Sequence, residues 1–208
     1  HFHSVLGVGS GLGYFLEGVR ASGCPHWMGL ELGDNFRKYA QETLGLGSTV
    51  RGERYEHISA LDPAPDLVVM FHVFEHLEDP AGFLRWAHSR MDAQGTLVIE
   101  VPDLIGDWSH MGIGNFHTAH RWYFTPTTLS NMLAKNGFVP FFVTRDSGDG
   151  IYPGNVRVFA RPGVPGAIYP LPNDDADQLR TMIRKWVRPA SIARAAARLV
   201  MQAIRSKR

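Results

Sequence analysis

The order of apolar runs and helical patterns predicts an α/β fold, a mostly parallel sheet with helices wound on both faces. Three observations carry that expectation. Strand-like runs alternate with helical patterns from residue 3 onward. The run DLVVMF at 66–71 is almost wholly apolar, as in a strand covered on both faces. A glycine-rich turn, Gly9-Ser10-Gly11-Leu12-Gly13, follows the first strand and opens the first helix.

The elements follow in order. Residues 3–8 (HSVLGV) read as a buried strand. Over 12–22, Leu12, Phe15, Leu16 and Val19 recur at the spacing of one helix face. Residues 26–31 (HWMGLE) read as the second strand, and Asp34 is expected to cap a helix carrying Phe36, Tyr39, Ala40 and Leu44. A weak strand falls near Thr49 to Gly52. After the 66–71 strand, Asp79-Pro80 supplies an N-cap acceptor and a proline at the first helical position, for a helix to about Met91. Residues 95–101 (GTLVIEV) form the next strand. Thr125-Pro126 starts a helix carrying Leu129, Met132 and Leu133, and Asn136-Gly137 ends it. Two strands follow, at 138–144 and 154–161.

Composition narrows the class. At 208 residues the chain suits one domain plus an appendage. Its 44% hydrophobic and 20% charged residues are ordinary for a soluble protein with a full core. A formal net charge of +1 gives no case for a nucleic-acid partner. A single cysteine, Cys24, excludes an internal disulfide. His1 to Ser4 carry neither a basic region nor a long apolar run, and no segment reaches the ~20 apolar residues of a membrane span, so a cytoplasmic protein is expected. The chain opens almost at once into a strand, and further residues are expected ahead of it.

Ligands of such sheets sit at the carboxyl ends of the strands. The glycine turn lets a backbone approach a ligand closely, and it also serves as a plain tight connection. Glu31, 22 residues after Gly9, ends the second strand. A carboxylate there can accept from both hydroxyls of an adenosine ribose, or simply face solvent. Together they point to an adenosine-containing ligand. A nicotinamide dinucleotide fits less well, because its fingerprint G-x-G-x-x-G places Tyr14 where the last glycine belongs.

Residues 103–125 fit neither period and hold His110, His117 and His120 with Trp108, Arg121, Trp122 and Tyr123. A long aromatic, histidine-rich loop inside a domain suits a functional role. His72-x-x-Glu75-His76 matches the spacing of an inverted zinc-protease pattern, but here it follows directly on a buried strand.

Taken together, the run VLGVGSGLGYFL resembles the first motif of class I S-adenosylmethionine-dependent methyltransferases. GLELGDNFRKYA resembles the ribose-binding strand end and following helix of that family, DLVVMFHVFEHLEDP its fourth strand and the helix after it, GTLVIEVPD its fifth strand, and HRWYFTPTTLSNMLAKNGF its late helix and turn. The resemblance spans roughly residues 4–161. It implies a Rossmann-like, doubly wound, seven-stranded sheet, mostly parallel with the last strand antiparallel. It also implies that Gly9, Ser10, Gly11 and Gly13 hold the methionine part and ribose of S-adenosylmethionine, that Glu31 holds the ribose hydroxyls, and that Glu53 lies near adenine. Phe71 and His72 are implied to lie beside the cofactor. The chain departs from the family at Gly7, where an aspartate is usual.

For the reaction, the family's cofactor arrives activated, so the protein mainly positions an acceptor. An oxygen acceptor also needs its proton removed. His120 is the first candidate base and His117 the second. Trp108, Trp122 and Tyr123 suit an apolar acceptor wall, or ordinary packing of the loop. No bound metal is expected; the set that could hold one, as in some similar methyltransferases, is His72, Glu75, His76 and His120. The expected acceptor is a small molecule, methylated on oxygen: a sugar, a glycan precursor or a secondary metabolite. The alternative is a non-catalytic adenosine-ligand-binding or scaffold domain, suggested by Gly7.

Residues 1–161 are thus expected to form the methyltransferase domain, 162–177 a linker and 178–208 a basic helical tail. Thr181 to Arg208 hold eight basic residues and no acidic one. Ile192, Ala196, Leu199, Ala203 and Ile204 can share one helix face. Such a helix suits peripheral contact with an anionic membrane, a partner subunit or its own domain.

Overall fold

A computed structural model describes residues 1–58, 61–106, 116, 118–146, 154–164, 176–186 and 193. Seven strands form one sheet: β1 (Ser4–Val8), β2 (His26–Leu30), β3 (Val50–Arg51), β4 (Leu67–Phe71), β5 (Thr96–Pro102), β6 (Phe138–Arg145) and β7 (Asn155–Pro162). Their order across the sheet is β3-β2-β1-β4-β5-β7-β6. Strands β1 to β5 pair in parallel, and β7 runs antiparallel to both neighbours, β5 and β6. The strand order reverses between β1 and β4, which places the ligand crevice at their carboxyl ends.

Both faces are covered. Helices α3 (Pro80–Arg90) and α4 (Pro126–Lys135) bury Phe83, Leu84, Leu129 and Leu133 in one apolar cluster with Leu6, Met70 and Ile99 of the strands. Helix α1 (Tyr14–Ala21) lies on the other face, where Leu16 is fully buried with Ala40, Leu46 and Val50. Side chains of a strand alternate between faces, so Leu6 and Val8 belong to the first cluster and Val5 to the second. Two of the three predicted caps are present. Asp79 accepts from Gly82 N–H at 2.7 Å. Thr125 and Thr128 cap α4 reciprocally, each side-chain oxygen accepting the other's backbone N–H.

One expectation is corrected. Gly33, not Asp34, is the N-cap of α2 (Asp34–Lys38). Asp34 already sits in the first turn, where its carboxylate pairs with Arg37. The reason lies one step upstream: Gly33 N–H donates to Glu31 at 2.7 Å, which sets the extended backbone before the helix. The helix is also shorter than its pattern suggests. It passes into a π-helical turn at Tyr39–Thr43, and of the predicted face only Ala40 is buried, while Phe36 is exposed.

Helix α5 (Ala176–Trp186) begins within the stretch read as a linker. The predicted apolar face from Ile192 to Ile204 lies outside the described residues. Among the described residues no helix is long and apolar enough to cross a membrane.

Candidate active site

The glycine turn after β1 is held from below. Gly9 and Ser10 amides both donate to the Leu30 carbonyl, at 2.8 and 3.0 Å, and Gly13 donates to Ser10 at 3.0 Å. Gly9, Gly11 and Gly13 have φ of 69, 56 and 90°, which strains any residue with a Cβ. At Gly9 a Cβ would also meet Val73 Cγ2 at 2.2 Å. The turn and the segment after β4 therefore lie in close contact.

Glu31 crosses this turn. Its two carboxylate oxygens accept from Gly11 N–H and Gly33 N–H, both at 2.7 Å. Each oxygen keeps a further acceptor direction. Glu31 lines a cavity of about 370 Å³ together with Gly9, Glu53, Tyr55 and Val73. That volume lies at the lower end of the ~300–1,000 Å³ typical of small-molecule sites. Burial first, and Glu56 second, push the Tyr55 hydroxyl up to about 12, so it stays a neutral donor. The two guanidiniums at the rim are paired, Arg54 with Glu56 at 3.3 Å and Arg121 with Glu78 at 2.9 Å. A cavity with carboxylates inside, paired arginines and engaged turn amides suits an adenosine ligand without phosphates.

Phe71 faces a second cavity of about 210 Å³, shared with Gly7, Gly9, Ser10, Gly11 and Phe15. Its ring meets Phe15 edge to face, with centroids 5.4 Å apart. Gly7 pairs with Gly29 across β1 and β2, and Leu16 packs over both. A Cβ on Gly7 would meet Leu16 at 3.4 Å, an ordinary contact. Ser10 Oγ is buried here without a hydrogen-bond partner among the described residues. Among the residues that line this cavity it is the one polar side chain.

His72 turns out of β4 with φ 54°, unusual for a residue with a Cβ. Two contacts hold it: its N–H donates to Glu100 O at 2.9 Å, and its Nε2 lies 3.3 Å from Glu100 Oε1. Glu100 first and Glu75 second raise the ring to about 9, against the opposing effect of burial. Burial pushes the Glu100 carboxyl up, but His72 and Arg157 outweigh it and hold it below the ordinary glutamate value. Arg157 pairs with Glu100 across β5 and β7.

Glu75 is 1% exposed and follows His72 by one turn. His76 and His120 stack edge to face beside it, centroids 4.9 Å apart, and each Nε2 lies 3.9 Å from Glu75 Oε1. The Glu75 carbonyl accepts from Arg121 and Trp122 N–H, at 2.9 and 3.1 Å. Trp122 Nε1–H donates to Leu77 O at 2.9 Å. These bonds clamp the 118–124 segment onto the turn after β4.

The predicted residues thus fall into three groups. Gly9, Glu31 and Glu53 share the larger cavity. Ser10, Gly11 and Phe71 share the smaller. His72, Glu75, His76 and His120 converge beside them. Gly13 lies under the turn, where a Cβ would collide with Leu46 and Ala40. His110, His117 and Trp108 lie outside the described residues. Sequence reasoning missed Tyr55 and the Glu100–Arg157 pair. The one signal for Glu100 was a carboxylate inside an apolar strand run.

The strand order, the glycine turn and the strand-end glutamate define a Rossmann-like domain that binds an adenosine cofactor. The model of the methyltransferase domain family matches residues 2–140, and the chain belongs to that family. A comparison with curated proteins finds no match. Solved structures share the fold. An S-adenosylmethionine-dependent methyltransferase from Mesorhizobium loti is 16% identical with a TM-score of 0.61, over 76% of this chain and 90% of that one. A SAM-dependent methyltransferase from Archaeoglobus fulgidus is 22% identical with a TM-score of 0.60, over 76% and 86%. The magnesium protoporphyrin IX methyltransferase of Synechocystis, solved with SAH bound, is 18% identical with a TM-score of 0.59, over 77% and 74%. The chain is a class I S-adenosylmethionine-dependent methyltransferase, an enzyme that transfers a methyl group to a small-molecule acceptor.

Proposed function

We propose that the acceptor is methylated on oxygen and is a sugar, a glycan precursor or a secondary metabolite. The observation that carries this reading is a shared wall. His76 lines the cavity that holds Glu31 and Glu53, and its ring stacks on His120. A proton acceptor therefore stands next to the methyl donor's site.

In this reading Glu31 takes the ribose hydroxyls on the acceptor directions that Gly11 and Gly33 leave open. Glu53, exposed at the cavity, faces the adenine amine. Gly9 and Gly11 let the backbone approach the methionine end, with Ser10 Oγ and Phe71 beside it. Bound cofactor supplies a methyl group already activated on a sulfonium. His120 takes the acceptor's proton, and the buried Glu75 carboxylate at 3.9 Å stabilises the imidazolium that forms. His117 is the second base. Trp122 and Tyr123 border the acceptor.

The test is a turnover assay with isotope-labelled S-adenosylmethionine and a panel of hydroxyl, amine and activated-carbon acceptors. Label in an O-methyl ether of a sugar or secondary metabolite is expected. Label only on nitrogen or carbon overturns the proposal.

A further inference from the structure

Glu75 is 1% exposed, yet neither of its carboxylate oxygens accepts a hydrogen bond from any described residue. A carboxylate removed from water needs a partner, because its charge is otherwise strongly unfavourable. It sits in the short turn after β4, where the nearest charged neighbour, His72 Nδ1, stands 3.7 Å from Oε1, beyond hydrogen-bonding reach.

The surroundings supply nitrogen donors at a particular distance. His76 Nε2 and His120 Nε2 both lie 3.9 Å from Glu75 Oε1. That is too far for a hydrogen bond and leaves room for one atom between. The ligand atoms of Glu75, His76 and His120 all lie within 4.8 Å of one another. The tautomer of His76 is set as well. Its Nδ1–H donates to Ala119 O at 2.7 Å, which leaves the Nε2 lone pair directed at the cluster. Ala119 immediately precedes His120, so one backbone segment orients one imidazole and carries the other.

We propose that Glu75, His76 and His120 form a site for one divalent transition-metal ion of the zinc type. Two imidazoles and a single carboxylate favour zinc and its neighbours over magnesium or calcium, which prefer all-oxygen shells. Three protein ligands leave a coordination position open, as in catalytic zinc sites. Tetrahedral bonds of ~2.0–2.2 Å place ligand atoms about 3.3–3.6 Å apart, so the cluster closes by roughly half an ångström or more on binding. His76 is 40% exposed and can make that movement. The role of the ion rests on the proposed oxygen methylation. With the ion bound, His120 serves as ligand rather than base, and an acceptor hydroxyl in the open position loses its proton to solvent more readily.

The experiment uses the full chain stripped with a chelator. Cobalt(II) is titrated in and followed by visible absorption, and zinc is measured by competition. One saturable equivalent with the spectrum of a four-coordinate site is expected. His76→Ala and His120→Ala each should weaken it by more than the ~10–100-fold that loss of an outer-shell partner costs. His57→Ala, exposed and outside the cluster, should leave it unchanged. Zinc should also raise the unfolding temperature of the unmutated chain, a readout that does not depend on a variant folding. Absence of saturable binding, or one equivalent undiminished in both histidine variants, overturns the site. Titration of S-adenosylmethionine into the same stripped protein separates the two readings. Cofactor binding without metal binding removes the site and leaves the methyltransferase reading; metal binding without cofactor binding does the reverse.

Discussion

The two halves of the sheet's carboxyl edge are built in opposite ways. On the β1–β2 side the backbone makes the site. The turn amides of Gly9, Ser10, Gly11 and Gly13 all have acceptors within the fold, and Glu31 ties the turn to the next strand. On the β4–β5 side the side chains make the site. Glu75 is buried with oxygens that no described residue hydrogen-bonds, and His72, His76 and His120 crowd around it from two separate segments. The first half is organised before any ligand arrives. The second holds polar groups that a bound species would complete. A preformed cofactor site beside an adaptable acceptor site suits an enzyme whose cofactor is constant and whose chemistry depends on the acceptor.

That contrast can be broken by experiment. His120→Ala is expected to lower kcat by ~10²–10⁴-fold, the range for loss of a proton-transfer group, with unchanged affinity for S-adenosylmethionine. Steady-state kinetics and a binding titration check both parts. A matching loss of cofactor affinity would merge the two halves. Glu31→Ala should do the opposite, weakening cofactor binding by about 10–100-fold, in line with the ~1.5–3 kcal/mol of a hydrogen bond to a charged group. Glu31 also ties Gly11 and Gly33, so circular dichroism should accompany that titration to show that the fold persists.

Gly9 is where the halves meet. Gly9→Ala is expected to lower stability by ~1–3 kcal/mol, since the new Cβ takes a strained φ and collides with Val73. Denaturant unfolding measures it, and a neutral effect would mean that turn and segment are less tightly joined than described. The smallest effect is electrostatic. The His72 ring is raised from 6.5 to about 9, so in metal-free protein its contribution to stability is complete below pH 6.5 and is lost as pH rises through about 9. Ring resonances followed by NMR should titrate near 9. Glu100→Gln should bring that value down.

The same contrast explains what could be read from the sequence. Strands and helices announce themselves by local periodicity, and the Asp79 and Thr125 caps lie next to the helices they start. The glycine turn and Glu31 were legible because backbone conformation demands glycine and because a strand end falls at a fixed distance from it. Glu100 and Arg157 meet only through the register of β5 against β7, 57 residues apart, and no local pattern records that pairing. Glu75 and His120 meet through the return of the 118–124 segment over the β4 turn, so sequence named the residues but not their geometry. The helix after β2 ended early for a tertiary reason: Ala40 and Leu46 pack close beneath Gly13, and the chain widens there into a π-turn.

The central claim is that this crevice binds S-adenosylmethionine. Calorimetric titration of the folded chain with S-adenosylmethionine, with S-adenosylhomocysteine, and with NAD tests it most directly. Saturable one-to-one binding of the first two, with none of NAD, is the expected result. Binding of NAD alone, or of none of the three, would contradict the claim.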